Sequence, residues 1–120
     1  MAFSQRRVVW PWNYFFSECP RPRRAVERTP GDNLELADLK IEVGRSFHPL
    51  AAHCYRFTDP ATGGRMVFSG DTFYHQGLPL FAKDCDVLVH EAAASADAEI
   101  PDLMRSLHSR PQDAAQVAWL

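Results

Sequence analysis

Apolar and polar residues alternate in the middle of the chain with the two-residue period of a β-strand. Residues 39–43 follow this alternation, which is typical of a half-buried strand, and residues 53–58 predict a second one. Residues 59–64 are rich in proline and glycine and predict a hairpin loop, after which residues 65–69 return as a strand. Residues 87–89 form a continuous apolar run, which predicts a strand covered on both faces.

Other segments favour helices. Residues 76–84 predict a short helix, and residues 98–107 place their large apolar side chains on one helical face. A last helix is predicted to begin at Pro111, with Ser109 or Arg110 near its N-terminal cap. The chain from residue 39 onward therefore contains both strands and helices.

Residues 1–38 do not continue this pattern. Arginines and prolines are concentrated there, and the prolines exclude long helices. The aromatic residues of this segment allow two interpretations: they pack on the domain beside a solvated loop, or they stack on nucleic acid whose phosphates contact the arginines. We therefore divide the chain into a proline-, arginine- and aromatic-rich segment, 1–38, and a folded unit, 39–120.

Composition narrows the class of protein. The chain has 120 residues, of which 46% are hydrophobic and 23% charged, as expected of one globular domain. The net charge of −2 gives no overall attraction to nucleic acid or to a membrane surface. No apolar run approaches the roughly 20 residues of a membrane span, so we expect no membrane partner. The widely spaced cysteines argue against a disulfide framework, and we expect a reducing, cytoplasmic compartment.

Polar side chains follow two of the predicted strands at the point where each strand ends. Asp71 comes after the strand at residues 65–69, and His90 and Glu91 follow residues 87–89. Strand ends of open sheets commonly gather such groups along one edge, where a carboxylate is available to a metal ion or to catalysis. Two structural alternatives stay open, since Asp71 could cap the following turn and His90 could pack within the sheet.

The order and spacing of four segments resemble the metallo-β-lactamase superfamily of hydrolases. The resemblance is strongest to the branch that holds ribonuclease Z and the related arylsulfatase-like and phosphodiesterase-like proteins. It implies the C-terminal half of the αββα fold: an α+β arrangement in which one mixed β-sheet carries helices on one face. The matching segments are residues 48–57, 67–72, 86–92 and 108–115.

The resemblance also implies roles for individual residues. His48 is similar to a metal-binding histidine of the family, and Asp71 to the aspartate that bridges two metal ions, expected to be Zn²⁺. Glu91 resembles a carboxylate that pairs with a catalytic histidine, and His108 resembles that histidine, which protonates the leaving oxygen. His48 could instead be an ordinary exposed histidine, and His108 a helix N-terminal residue without a catalytic duty.

The chain departs from the family most clearly in its metal ligands. The His-x-His-x-Asp-His motif, which supplies most of the metal ligands, is absent, because no histidine precedes His48. Only His48 and Asp71 remain of the usual ligands, whereas a zinc site needs about four. We therefore expect a fragment of a binuclear-metal hydrolase that cleaves phosphodiester or sulfate-ester bonds and is inactive as this chain alone. A non-catalytic α/β remnant that serves as an interaction module, or a site completed by a second chain, are the alternatives.

Expectations about substrate and assembly follow from the resemblance alone. RNA or a small-molecule ester is the expected substrate of the full-length form, and a homodimer is its default assembly. The sequence does not choose among these substrates, because the matched segments do not include the substrate-contacting loops.

Overall fold

A five-stranded sheet forms the centre of the computed structural model, which describes residues 26–94, 103 and 106–119. The strands lie side by side in the order of the sequence. Strands β1 to β4 pair antiparallel, whereas β4 and β5 pair parallel, so the sheet is mixed. The strands are β1 (Asn33–Leu36), β2 (Leu39–Arg45), β3 (His53–Thr58), β4 (Arg65–Phe68) and β5 (Val87–Val89).

Two helices of the described chain cover one face of this sheet. Helix α1 (Gly77–Ala82) lies in the crossover that the parallel pair of β4 and β5 requires, and α2 (Pro111–Trp119) contacts it. The core forms where Leu78 and Val117 of these helices meet Val67 of β4. These features confirm a mixed sheet with helices on one face. None of the described helices is long and apolar enough to cross a bilayer.

The predicted strands and the last helix are found close to their expected bounds, but β1 was not predicted. It pairs with β2 through a two-residue turn at Ala37 and Asp38, which have φ angles of 49° and 68°. Such turns usually contain glycine or asparagine, so the sequence gives little sign of this one. The boundary predicted between residues 38 and 39 stays a prediction. The helix predicted over residues 98–107 lies largely outside the described residues.

Strand β5 differs from the prediction of a strand covered on both faces. Val87 and Val89 are 51% and 42% exposed, because they point away from the helices at the edge of the sheet. Met66 and Phe68 of the neighbouring β4 are exposed on the same side. We call these four residues the apolar face. The apolar run of β5 therefore includes an exposed hydrophobic surface in the described part of the chain.

Strand β2 passes close beneath α1 because residue 44 is glycine. A Cβ atom at Gly44 would lie 2.4 Å from Cys54 Sγ and 2.8 Å from the ring of Phe81. The guanidinium of Arg56 lies over that ring at 4.8 Å and also donates hydrogen bonds to Glu42 and to the carbonyl oxygen of Phe81. These contacts hold the C-terminal end of α1 against the sheet.

Candidate functional site

The C-terminal ends of three strands lie along the same edge of the sheet. Strands β4 and β5 are parallel, and β2 runs in the same direction because both β2 and β4 are antiparallel to β3. His48 follows β2, Asp71 follows β4 and Glu91 follows β5. The sheet therefore brings the loops that carry these residues to one side of the molecule, and His108 arrives there from the segment before α2.

The predicted site residues lie close to one another. Ligand atoms of Asp71, Glu91 and His108 all fall within 4.8 Å of one another. The ring of His48 lies beside that of His108, with centroids 5.3 Å apart. Asp71 is exposed to solvent, whereas the other three side chains are half-buried. The structure thus brings all four residues together, and their catalytic and metal-binding roles stay predictions.

The turn that delivers Asp71 requires glycine. Gly70 has a φ angle of 59°, and a Cβ atom there would lie 2.6 Å from the carbonyl oxygen of His53. A larger residue would meet both backbone strain and a clash with the main chain of β3. Gly70 therefore allows the chain to turn directly against the sheet before Asp71.

The carboxylate of Glu91 is held by several donors. Its Oε1 accepts the amide N–H of Thr72 at 2.7 Å and lies 3.0 Å from His108 Nδ1, and its Oε2 accepts the amide N–H of Ala93 at 3.0 Å. Because an ionised carboxylate only accepts, His108 Nδ1 is the donor in this pair. The other ring nitrogen, Nε2, is left available to act on a bound molecule. The arrangement suits Glu91 to orient a histidine.

His48 and Asp71 offer nitrogen and oxygen donors of the kinds that zinc accepts, so they fit a part of a metal site. His48 Nδ1 accepts the amide N–H of Leu50 at 3.2 Å, so the proton of the neutral ring is on Nε2. Binding a metal ion through Nε2 would move that proton to Nδ1 and break the bond to Leu50. Metal binding therefore requires a local change at His48.

The remaining histidines of the described chain are packed around the site. His75 lies against the ring of Phe47 at 4.5 Å, and burial lowers the pKa of its imidazole. His90 Nδ1 bonds the carbonyl oxygen of Glu91 at 2.6 Å. His53 Nε2 contacts a backbone carbonyl of the segment before β1 at 2.9 Å. These contacts support packing roles.

Three hydroxyl residues connect the site loops, and none of them was predicted to belong to the site. Ser69, Thr72 and Ser109 are almost completely buried, with exposures of 1%, 0% and 0%. Ser69 Oγ accepts the amide N–H of Glu91 at 3.0 Å, which joins the ends of β4 and β5. The one sequence signal was proximity, since each of the three lies within two positions of Asp71 or His108.

Structural comparison identifies the fold. The metallo-β-lactamase fold protein YhfI from Bacillus subtilis matches 79% of this chain with a TM-score of 0.68 and 22% identity, over 38% of its own length. The chain contains part of the metallo-β-lactamase fold. The short form of human tRNase Z matches 72% of the chain with a TM-score of 0.58 and 24% identity, over 34% of its own length. No protein-family model matches the chain.

Sequence comparison finds that the chain is similar to proteins named ribonuclease Z. Ribonuclease Z of Brevibacillus brevis is 37% identical over 89 residues, which are 73% of this chain and 24% of that protein. Ribonuclease Z of Bacillus subtilis is 40% identical over 62 residues, 52% of this chain and 17% of that protein. Ribonuclease Z of Myxococcus xanthus is 44% identical over 59 residues, which are 49% of this chain and 19% of that protein. The chain thus spans 24% or less of these relatives.

Proposed function

We propose that this chain is part of a metal-dependent hydrolase that cleaves phosphodiester bonds in RNA. The observation that carries the proposal is the meeting of Asp71 and His48 with the hydrogen-bonded pair of Glu91 and His108 at one edge of the sheet. The relatives named ribonuclease Z favour a phosphodiester over the sulfate ester that the sequence resemblance left open.

In this proposal, His48 and Asp71 hold divalent ions, of which zinc suits the donor types best. A bound ion of this kind would supply a Lewis acid and an activated water molecule. His108 presents Nε2 to the leaving oxygen and donates a proton there. Glu91 accepts the Nδ1–H of His108 and keeps the ring oriented, so that a protonated His108 directs its Nε2–H at the leaving oxygen.

We further propose that the 120-residue chain alone does not turn over substrate. His48 and Asp71 supply two donors, whereas a zinc ion needs about four. The other ligands would come from additional polypeptide, either in the same chain or in a second one. Binding of two metal ions per isolated chain with high affinity would contradict this part of the proposal.

An interaction module is the second candidate function, and the apolar face favours it. Met66, Phe68, Val87 and Val89 are 37%, 45%, 51% and 42% exposed on neighbouring strands. Contiguous exposed apolar residues of this kind mark surfaces that contact other proteins. Such a module would bind a partner through this face without any metal-dependent turnover.

Metal analysis and hydrolysis assays separate the two candidates. The chain is extended at both ends, loaded with Zn²⁺ and tested on chromogenic phosphodiester and sulfate-ester substrates. Asp71→Ala should lose both metal and turnover, whereas His108→Ala should keep the metal and lose about 10²- to 10⁴-fold in rate. Glu35→Ala, which removes an exposed carboxylate from the edge strand β1, away from the four site residues, is the control. Equal metal loss in the Asp71 and His108 variants would contradict the proposed division of roles.

A further inference from the structure

Thr72 contacts three of the segments that build the candidate site. Its amide N–H donates to Glu91 Oε1 at 2.7 Å, and its carbonyl oxygen accepts the hydroxyl of Ser109 at 2.7 Å. Its own hydroxyl accepts the amide N–H of Phe47 at 3.0 Å. Because Thr72 directly follows Asp71, these bonds relate the position of Asp71 to the other three segments.

Ser109 closes a ring of contacts around His108. The imidazole of His108 reaches Glu91, Glu91 accepts from the amide of Thr72, and the carbonyl of Thr72 accepts from Ser109, which is the next residue after His108. His108 is therefore fixed twice, through its side chain by Glu91 and through its main chain by Ser109. The Ser109 hydroxyl is fully buried, so its removal would leave the Thr72 carbonyl oxygen without this donor.

The hydroxyl of Thr72 acts on a different loop. It bonds the amide of Phe47, the residue before His48. The two hydroxyls therefore control different parts of the site: that of Thr72 contacts the His48 loop, and that of Ser109 contacts the segment that carries His108. The bond from the Thr72 amide to Glu91 uses the main chain and survives replacement of either hydroxyl.

We propose that Thr72 and Ser109 are separate positioning residues, Thr72 for His48 and Ser109 for His108. The proposal rests on the proposed function for the roles of the two histidines, but the positioning itself is measurable without turnover. Buried hydroxyl groups normally have hydrogen-bond partners, so a general loss of stability must be distinguished from a change in one loop. The two variants are therefore compared for effects on different atoms.

The first measurement follows the ring N–H proton of His108 in the ¹⁵N-histidine-labelled 120-residue chain. The wild-type chain should show this proton at Nδ1, protected from exchange with water by Glu91. Ser109→Ala should accelerate its exchange about 10-fold or more, because the loss of a buried hydrogen bond loosens the segment. Ser106→Ala, which removes an exposed hydroxyl from the same segment, should leave the rate unchanged. A wild-type chain without a protected proton at His108 would overturn the proposal.

The second measurement follows the amide proton of Phe47. Thr72→Val keeps the shape of the side chain and removes its hydroxyl, so exchange at Phe47 should accelerate about 10-fold while the ring proton of His108 keeps its wild-type rate. Thr72→Ser retains the hydroxyl and should restore the rate at Phe47. If Thr72→Val and Ser109→Ala accelerate both protons equally, the residues are structural and the positioning proposal fails.

Turnover by the metal-loaded, extended chain separates this proposal from the proposed function. Both variants should lower the rate of phosphodiester cleavage, and Thr72→Ser should recover it. If the two protons respond separately but both hydroxyl variants keep the wild-type rate, the positioning proposal is wrong. If they respond separately and the extended wild-type chain cleaves no phosphodiester, the proposed function fails while the separate control of the two loops stands.

Discussion

His108 Nδ1 lies 3.0 Å from Glu91 Oε1, and the side chains are only 19% and 11% exposed. The two residues come from different segments: Glu91 follows β5, and His108 precedes α2. The pair is therefore a product of the tertiary fold, and its geometry depends on the donors that hold the Glu91 carboxylate in place.

Replacing Glu91 with glutamine should destabilise the chain. The carboxylate accepts from Thr72, Ala93 and His108, and an amide of the same shape would face at least one of these donors with its own N–H groups. We expect a loss of about 1–3 kcal/mol in the free energy of unfolding, measured by urea denaturation. Glu35→Gln, on an exposed strand position, should change it by less than about 0.5 kcal/mol. Equal stability of the two variants would contradict the role given to the carboxylate.

Gly44→Ala should weaken the packing of α1 on the sheet. The new Cβ would lie 2.4 Å from Cys54 Sγ and 2.8 Å from the Phe81 ring, so β2 or the helix must move. Overpacking of this kind costs about 1–3 kcal/mol and should lower the urea midpoint. Gly64→Ala in the hairpin, where the nearest atom is the hydroxyl of Thr62 at 3.2 Å, is the matched control. A larger loss of stability in Gly64→Ala than in Gly44→Ala would contradict the close approach of β2 and α1 at Gly44.

Cys54 should resist alkylation in the folded chain. Burial is the main cause that raises the pKa of its thiol to about 11, which leaves little reactive thiolate at pH 8. Iodoacetamide should therefore modify the half-buried Cys85 before Cys54, as read by mass spectrometry of tryptic peptides. In denaturant, where thiol pKa values return to about 8.5, both should react at similar rates. Rapid modification of Cys54 in the native chain would contradict its burial.

Asp113 should stabilise the start of α2 in a pH-dependent way. Its carboxylate bonds the side chain and the amide N–H of Arg110, and these bonds lower its pKa in the folded chain. A depressed folded-state pKa gives stability that is present above the unfolded-state value of about 3.9 and is lost as pH falls through the folded-state value. Asp113→Ala should cost about 1 kcal/mol at pH 7, and the difference from wild type should shrink below about pH 4.

Urea denaturation at a series of pH values measures this effect. Gln116→Ala, at an exposed position of the same helix, serves as a comparison for the general cost of changing α2. A difference between wild type and Asp113→Ala that stays constant down to pH 2 would exclude the carboxylate as its source.

Local patterns predicted the parts of the fold that local chemistry determines. Strands β2 to β4 follow the alternation of side chains, and α2 begins at Pro111 because proline suits the first helical position. Strand β1 was missed because its turn lacks glycine. The exposure of β5 could not be predicted, since an apolar run looks the same whether or not another element covers it.

The candidate site was predictable only through motif resemblance. The order of the segments pointed to His48, Asp71, Glu91 and His108, and the structure places these residues together without testing their roles. The bond from Ser109 to Thr72 joins residues 37 positions apart, and no local pattern encodes such a contact. Hydrogen-bond partners across that distance in sequence become visible only when the fold is known.

The parallel pairing of β4 with β5 also affects the order in which the molecule can assemble. The antiparallel strands from β1 to β4 join close neighbours along the chain, whereas β5 can pair only after the crossover through α1 has closed. Pairing between distant segments has a higher entropic cost and slows folding. We therefore expect the edge that gathers Asp71 and Glu91 to be one of the last parts of the described chain to form, with both carboxylates exposed to solvent until that step.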